Sequence, residues 1–400
     1  MKISKEKIYL YFSSTATVVI SIPFFYSASI GSDWDSYAIV GTYLNFIDIG
    51  LYFPSRPPGF PLYELLIGVC ITISEIFNIP MEQFILFVQL VLLVSLNYLV
   101  FSFFKKNKNS NYFIYSIGVL SPVFLISGLT AIDYILGSLL GFWSLYISMY
   151  SKNQYKDLLI SFTLALSIAT RLSNVIFLVV VLISMRKDFK KAFKVVLYSG
   201  FIFTSIYLMF YINLYNFYIK NGIYENWVEF LCIFNLTNTN HDFYNRIGRF
   251  TLKQIPFLGT LGTIIFLLNF PKLKFNLKNN NFYFFLLFLF FQLSFLRLPT
   301  EEGHLLPAFI SFAIFISHNK NKIFFTIFLF AFSSNFLNLK FYEVDSIDSA
   351  KEINFMLSVE EGYLLQDYNL RNERAQNKDF YYNNSKISVY NAWSTGCPNK

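Results

Sequence analysis

Between Lys7 and Asp33 the chain carries no charged side chain, and between Glu82 and Lys105 it carries none again. Runs of that length suit one environment. A helix of roughly 20 residues crosses a hydrocarbon core of about 30 Å, where each backbone polar group must be satisfied within the segment. Comparable runs recur near 8–30, 82–104, 111–130, 133–150, 194–219, 255–270, 281–296, 304–317 and 322–338. Segment 157–185 is apolar except at Arg171 in ATRLSN, and is expected to split there into two short helices. The fold class expected is therefore an all-α polytopic membrane protein with about eleven transmembrane helices. Composition agrees: only 14% of the 400 residues are charged and 55% are hydrophobic, whereas soluble domains average about 25% charged. A cytosolic enzyme, a disordered regulator and a nucleic-acid-binding domain are all excluded on this ground.

The start of the chain, MKISKEK before a long apolar run, imitates a signal peptide. The run exceeds the roughly 7 to 15 residues of a signal h-region, so it is read as an uncleaved first span. Cys70, Cys232 and Cys397 lie too far apart for a metal-ligand spacing. The topology below puts Cys232 and Cys397 on one side of the membrane, where they could pair.

Lysine and arginine set the orientation. With Phe60–Ser74 not crossing, the inner loops hold Lys2, Lys5 and Lys7, the Lys105–Lys108 loop, Lys152 and Lys156, the Arg186–Lys194 loop, Lys272–Lys278, and Lys320 with Lys322. Before the C-terminal segment the outer side holds only Arg56, Arg171, Lys220, Arg246, Arg249, Lys253 and Arg297. This obeys the positive-inside rule and predicts an integral membrane protein with its N-terminus cytoplasmic and its C-terminus extracytoplasmic. The carboxylates, which played no part in that assignment, gather outside: before residue 340 only Glu6, Asp157 and Asp188 lie inside. Residues 1–339 are expected to form the membrane domain, with outer loops at 31–81 and 220–254, and 340–400 a small extracytoplasmic segment packed on the outer face.

The first outer loop reads GSDWDSYAIVGTYLNFIDIGLYFPSRPPGFPLYELLIG. Asp33 and Asp35 open it. An amphipathic stretch, apolar at Ile39, Val40, Tyr43, Leu44 and Ile47, predicts a helix lying on the membrane surface. Arg56 follows, stiffened by Pro57 and Pro58, and a juxtamembrane helix is expected after this Pro-rich turn, over Phe60–Ser74. Carboxylates and a guanidinium thus stand at the depth of lipid headgroups, where a lipid phosphate would lie.

In this arrangement the chain resembles the GT-C superfamily of membrane glycosyltransferases, in particular the family 39 branch of protein O-mannosyltransferases and the lipid A aminoarabinose transferase. DWDSYA is similar to that family's acidic motif after span one, which places Asp33 on its catalytic aspartate and Tyr37 on its aromatic residue. SRPPGFPLYE places Arg56 on the basic residue before Pro-Pro. SPVFLISGLTAIDYILG lands Asp133 on the aspartate ending its third span, and ATRLSN with Arg171 and RLPTEEGHLLPAF near 297–309 also match in order. Trp34 stands where the family has a second acidic residue, and Asp35 is extra, so Asp33 and Asp35 both remain candidates for the base.

The resemblance implies transfer of a sugar, with inversion, from a polyprenyl-phosphate donor to a hydroxyl on a lipid, glycan or protein acceptor at the extracytoplasmic face. It implies no cofactor, and a divalent metal is not indicated. Each residue also has a plainer reading. Asp33 is suited to cap a helix; Asp133 could cap the next span or hold a basic partner; Arg171 could pair with Asp133 or reach the surface. Arg56 suits phosphate better than lysine does. Arg246 and Arg249, three apart, would share a helix face and hold a second phosphate or anchor at the interface. Tyr37, Asp133, Arg171, Glu301, Glu302 and His304 are assigned to substrate positioning; His304 could also be a satisfied histidine at a helix start, and with Glu301 and Glu302 could form a metal site, for which three close ligands in one loop make a weak signal. Two other classes compete: a transporter or flippase of polar lipids, which predicts internal symmetry and charges near the midplane, and a polysaccharide polymerase or ligase.

Overall fold

The computed structural model describes residues 5–27, 29–56, 59–107, 110–222, 243–269, 281–297, 302–317, 322–340, 343–344, 353–354 and 358–394. The described chain is overwhelmingly helical. Among these residues three helices have the length and apolarity to cross a membrane: α1 (Lys5–Tyr26, from Glu6), α4 (Met81–Lys106) and α10 (Phe189–Lys220). A further pair, α5 (Tyr112–Gly118) and α6 (Pro122–Leu129), passes the same test jointly but is bent by 47°. The chain is a helical integral membrane protein. The remaining apolar runs form shorter helices than a full span, so the structure supports the class while the count of eleven crossings stays an expectation.

The chain divides into two compact units. The first comprises Met1–Ile22, Leu93–Gly128 and His241–Asn369. It contains α11 (Phe243–Lys253), α12 (Ile255–Leu258), α13 (Thr260–Asn269), α14 (Asn281–Arg297), α15 (Leu306–Ile316) and α16 (Lys322–Ser333). Its core is a phenylalanine layer in which Phe312 packs on Phe288, Phe266 and Phe328, and Phe309 on Phe257. The break between α5 and α6, set by Pro122, frees backbone carbonyls inside an apolar body. Asn335 Nδ2 donates to one of them, Leu120 O, at 2.7 Å, the kind of repair a broken membrane helix requires.

Segment 322–338, expected to be one span, ends its helix at Ser333 and continues as strand β1 (Leu337–Lys340). With β2 (Glu343–Val344), β3 (Ile353–Asn354) and β4 (Ser358–Glu361) it adds two antiparallel two-stranded ribbons, β1 with β4 and β2 with β3, to a chain expected to be all-α. Asn338, Lys340 and Glu343 interrupt the apolar run there, so period-two pairing replaces the helix.

The second unit comprises Pro23–Leu92, Leu129–Asn240 and Leu370–Lys400. Here α7 (Tyr134–Tyr150) and α8 (Lys156–Thr170) pack closely, and α3 (Pro61–Ile76) and α10 lie against α8. Arg171 leaves α8 with extended backbone (φ −158°, ψ 120°), a 3₁₀ turn spans Leu172–Asn174, and α9 (Val175–Ser184) follows. This is the split expected at ATRLSN. Gly137 and Gly141 permit the approach: a Cβ on either would collide with Asn174 or Phe177, which is how small residues bring membrane helices together.

Helix α2 (Trp34–Ile49) occupies the amphipathic stretch, ended by Gly50 at φ 74°. It does not simply lie on a surface. Tyr37, Ile39 and Val40 are buried with Tyr63, Ile67 and Ile71 of α3, while Phe46, Ile47 and Ile49 stay exposed. Its other side is covered by α18 (Lys378–Ser394), which follows α17 (Tyr363–Gln376). Asn45 Nδ2 donates to Lys386 O at 2.9 Å, and Lys386 pairs with Asp48. The C-terminal segment therefore docks on the helix that carries the candidate catalytic carboxylates.

Candidate functional site

Four charged residues of the second unit form a continuous chain. Asp35, in the first turn of α2, accepts from Arg56 Nη1. Arg56 Nη2 reaches Asp133 Oδ1 at 3.2 Å, and Arg171 Nη1 reaches Asp133 Oδ2 at 2.7 Å. Asp133 has no solvent exposure and bridges two guanidiniums, one per carboxylate oxygen. It stands at the N-cap position of α7, but its side chain makes no capping bond there, so the basic-partner reading is the observed one. Exposure differs between its two ends: the side chains of Arg56 and Asp35 keep 21% and 17% of their surface, that of Arg171 8%. The centre is open at Arg56 and closed at Arg171.

The rings of Phe60 and Tyr134 complete the surroundings. The Arg56 guanidinium lies 4.8 Å from the Phe60 centroid, and that of Arg171 lies 4.4 Å from Tyr134 and 5.8 Å from Phe60. Charges removed from water are tolerated when paired and stacked in this way.

Asp33 stands beside this chain and, among the described residues, has no ion pair. It is the N-cap of α2, its carboxylate accepting from Asp35 N at 3.1 Å. Burial first, and the negative charge of Asp35 second, push its proton affinity above that of an ordinary aspartate, against the opposing pull of Arg56 and Arg374. The capping and basic roles are compatible, because a cap uses one lone pair of one oxygen.

The loop that presents Arg56 is held from two sides. Glu64, buried in the first turn of α3, accepts from Ser55 N at 2.8 Å, Ser55 Oγ at 2.5 Å, Phe60 N at 3.3 Å and the Tyr52 hydroxyl. From α10, the Tyr207 hydroxyl donates to Gly59 O at 3.1 Å, and Tyr52 packs edge-on to Tyr211 at 5.4 Å. Gly59 has φ 93°, and a Cβ there would overlap the Tyr211 hydroxyl. Pro57 and Pro58 lie outside the described residues.

Tyr37 is buried, its hydroxyl 2.8 Å from Ser29 Oγ and its ring against Tyr381 and Tyr382; these contacts make it part of the α2–α18 packing. His304 and Arg249 belong to the first unit, His304 on the 3₁₀ turn Glu302–Leu305 with its ring 6.3 Å from Phe295, and Arg249 half-buried on α11. Glu301, the side chains of Glu302 and Arg246, Cys232 and Cys397 lie outside the described residues. Cys70 is a buried thiol.

The sequence left two groups unassigned. Glu64 carried a usable signal, a carboxylate in the first turn of a helix whose next ten residues hold no charge. Tyr207 and Tyr211 carried none, since aromatic residues abound throughout α10. Compared with protein-family models, with curated proteins and with solved structures, the chain has no match.

Proposed function

We propose that this protein is a membrane glycosyltransferase that moves a sugar from a polyprenyl-phosphate donor to an acceptor hydroxyl, with Asp33 as general base. One observation carries the reading: a partly exposed arginine, Arg56, is fixed by Asp35 and Asp133 next to an aspartate, Asp33, that has no ion pair among the described residues and a raised proton affinity. In the proposed reaction the acceptor oxygen attacks the anomeric carbon as its proton passes to Asp33. The bond from that carbon to the phosphate oxygen breaks on the opposite side, which inverts the centre and releases polyprenyl phosphate. Arg56 takes the charge that builds on the departing phosphate, where a fixed donor is most effective. General-base catalysis of this kind contributes typically 10² to 10⁴-fold. Asp133 and Arg171 position Arg56.

The resemblance of DWDSYA, SRPPGFPLYE and ATRLSN to family 39 motifs supports the same assignment, and the excess of lysine and arginine in alternate loops supports an extracytoplasmic site. The test is mass spectrometry of lipid retained by the purified protein, followed by transfer from a synthetic polyprenyl-phosphate sugar. Retention of that donor class by wild type and its loss in Arg56→Ala is expected; equal donor binding by both would remove Arg56 from the phosphate site.

A further inference from the structure

The second half of α17 brings two arginines to the start of α2. Arg371 is fully buried: Nη1 donates to Leu129 O at 3.0 Å, Nη2 to Thr130 Oγ1 at 2.8 Å, and the guanidinium lies 5.0 Å from the Phe24 ring. Leu129 and Thr130 lead directly to Ala131, whose N–H donates to Ile30 O at 2.9 Å. Arg371 thereby fastens the helix to the turns that carry Asp133 and Asp33. Residues three apart share a helix face, so Arg374 is presented at the same place.

Arg374 differs from Arg371 in one respect. Its guanidinium lies 4.9 Å from the Tyr381 centroid and 5.9 Å from that of Tyr37, and among the described residues it has neither ion pair nor hydrogen bond. Tyr381 in turn packs on Trp34, the residue between Asp33 and Asp35, with centroids 6.1 Å apart. A guanidinium stacked on two rings is oriented before any ligand arrives, and its five N–H donors remain available in a planar fork. Lys378, the next basic residue along, is already occupied by Glu82 at 3.4 Å.

We propose that Arg374 is an anion subsite beside Asp33, built to take a phosphate ester. That ester is either a phosphate on the acceptor or the headgroup phosphate of a lipid lying at the same depth. The assignment to the acceptor side rests on the preceding reading of Asp33 and Arg56; the anion site itself does not. The field at Asp33 fits this placement, because Arg374 and Arg56 both favour its charged form, so cationic charge reaches that carboxylate from two different elements.

The test uses the full-length protein in nanodiscs. In phosphatidylcholine discs, inorganic phosphate binding is followed by ³¹P line broadening for wild type, Arg56→Gln, Arg374→Gln and the double variant. In discs with phosphatidylglycerol, the anionic lipid kept through purification is counted by mass spectrometry. With Arg56→Gln as background, adding Arg374→Gln should weaken phosphate binding about tenfold or more, the loss expected for a hydrogen-bonded charge, or should lower phosphatidylglycerol retention. The first result identifies a soluble phosphate ester and the second a lipid headgroup. Arg374→Lys, which keeps the charge on a compact head, should lie between and guards against a folding defect. If Arg374→Gln alters neither readout, the subsite does not exist. If Arg56→Gln leaves polyprenyl-phosphate binding unchanged while Arg374→Gln still reduces phosphate binding, the donor reading fails and the subsite stands.

Discussion

At the scale of single residues, Asp33 and Asp35 have the same side chain and opposite situations. Asp35 is committed to Arg56, whereas Asp33 gives one lone pair to a backbone N–H and has, among the described residues, no cation within ion-pair distance. Asp33→Asn keeps a capping oxygen but no basicity, so a folded protein with transfer reduced by about 10² or more is expected. Asp35→Asn should act differently. It removes a negative charge that raises the proton affinity of Asp33, so any remaining activity should show its acid limb at lower pH than wild type; an unmoved limb in the pH–rate profile would mean that Asp33 is not the titrating base. The same shift has a sign for stability. Folding raises the proton affinity of Asp33, so between its unfolded and folded values the folded state holds the proton more readily. Stability therefore falls as pH rises through that window, and the cost is complete above it. Asp33→Asn should melt higher than wild type at neutral pH, with the difference vanishing below the unfolded value. Asp133 carries a larger stake, since Asp133→Ala would leave two guanidiniums without their shared anion. A loss of about 3 to 5 kcal/mol, typical for breaking a buried pair, should appear as a protein unfolding at markedly lower denaturant.

At the scale of elements, the loop 51–60 is the part whose shape decides whether Arg56 meets its partners. Its described residues have no regular secondary structure, and their geometry comes from Glu64 on one side and the tyrosines of α10 on the other. Gly59→Ala would put a Cβ at φ 93° into the Tyr211 hydroxyl. Strain of order 1 to 3 kcal/mol should be relieved by displacement of the loop, so donor binding is expected to weaken while the helices hold. Unchanged donor affinity in that variant, measured beside its circular dichroism, would show that the loop is not what presents Arg56. Arg56→Lys separates shape from charge at the same place: the lysine keeps the cation and loses the bidentate fork, so weaker donor use with normal membrane insertion is the expected result. The break at Arg171 was visible beforehand because one charge interrupted an apolar segment. The division of 255–270 at Gly259, and the end of α16 at Ser333, were not, because hydropathy alone does not distinguish one long helix from a short one followed by a turn or strand.

At the scale of the whole molecule, the orientation rests on where lysine and arginine fall. A cysteine placed in the Lys105–Lys108 loop, after Cys70, Cys232 and Cys397 are replaced, should stay unreactive to an impermeant reagent applied outside intact cells; labelling would invert every later loop and the eleven-span model with it. The sequence by itself determined the class, the long helices and the break at Arg171, because transfer of apolar side chains and backbone into hydrocarbon depends on local composition. It also named Asp33, Asp35, Arg56, Asp133 and Arg171, since ionisable groups against apolar spans are rare enough to stand out. Tertiary structure alone decided how they divide the work. Pairing Asp35 with Arg56, placing Asp133 between two arginines, holding Gly59 with Tyr207 and bringing Arg374 from the C-terminal segment all join residues far apart in the chain. Such contacts depend on how helices pack and on which buried charges find partners, and neither is encoded in the spacing of any one segment.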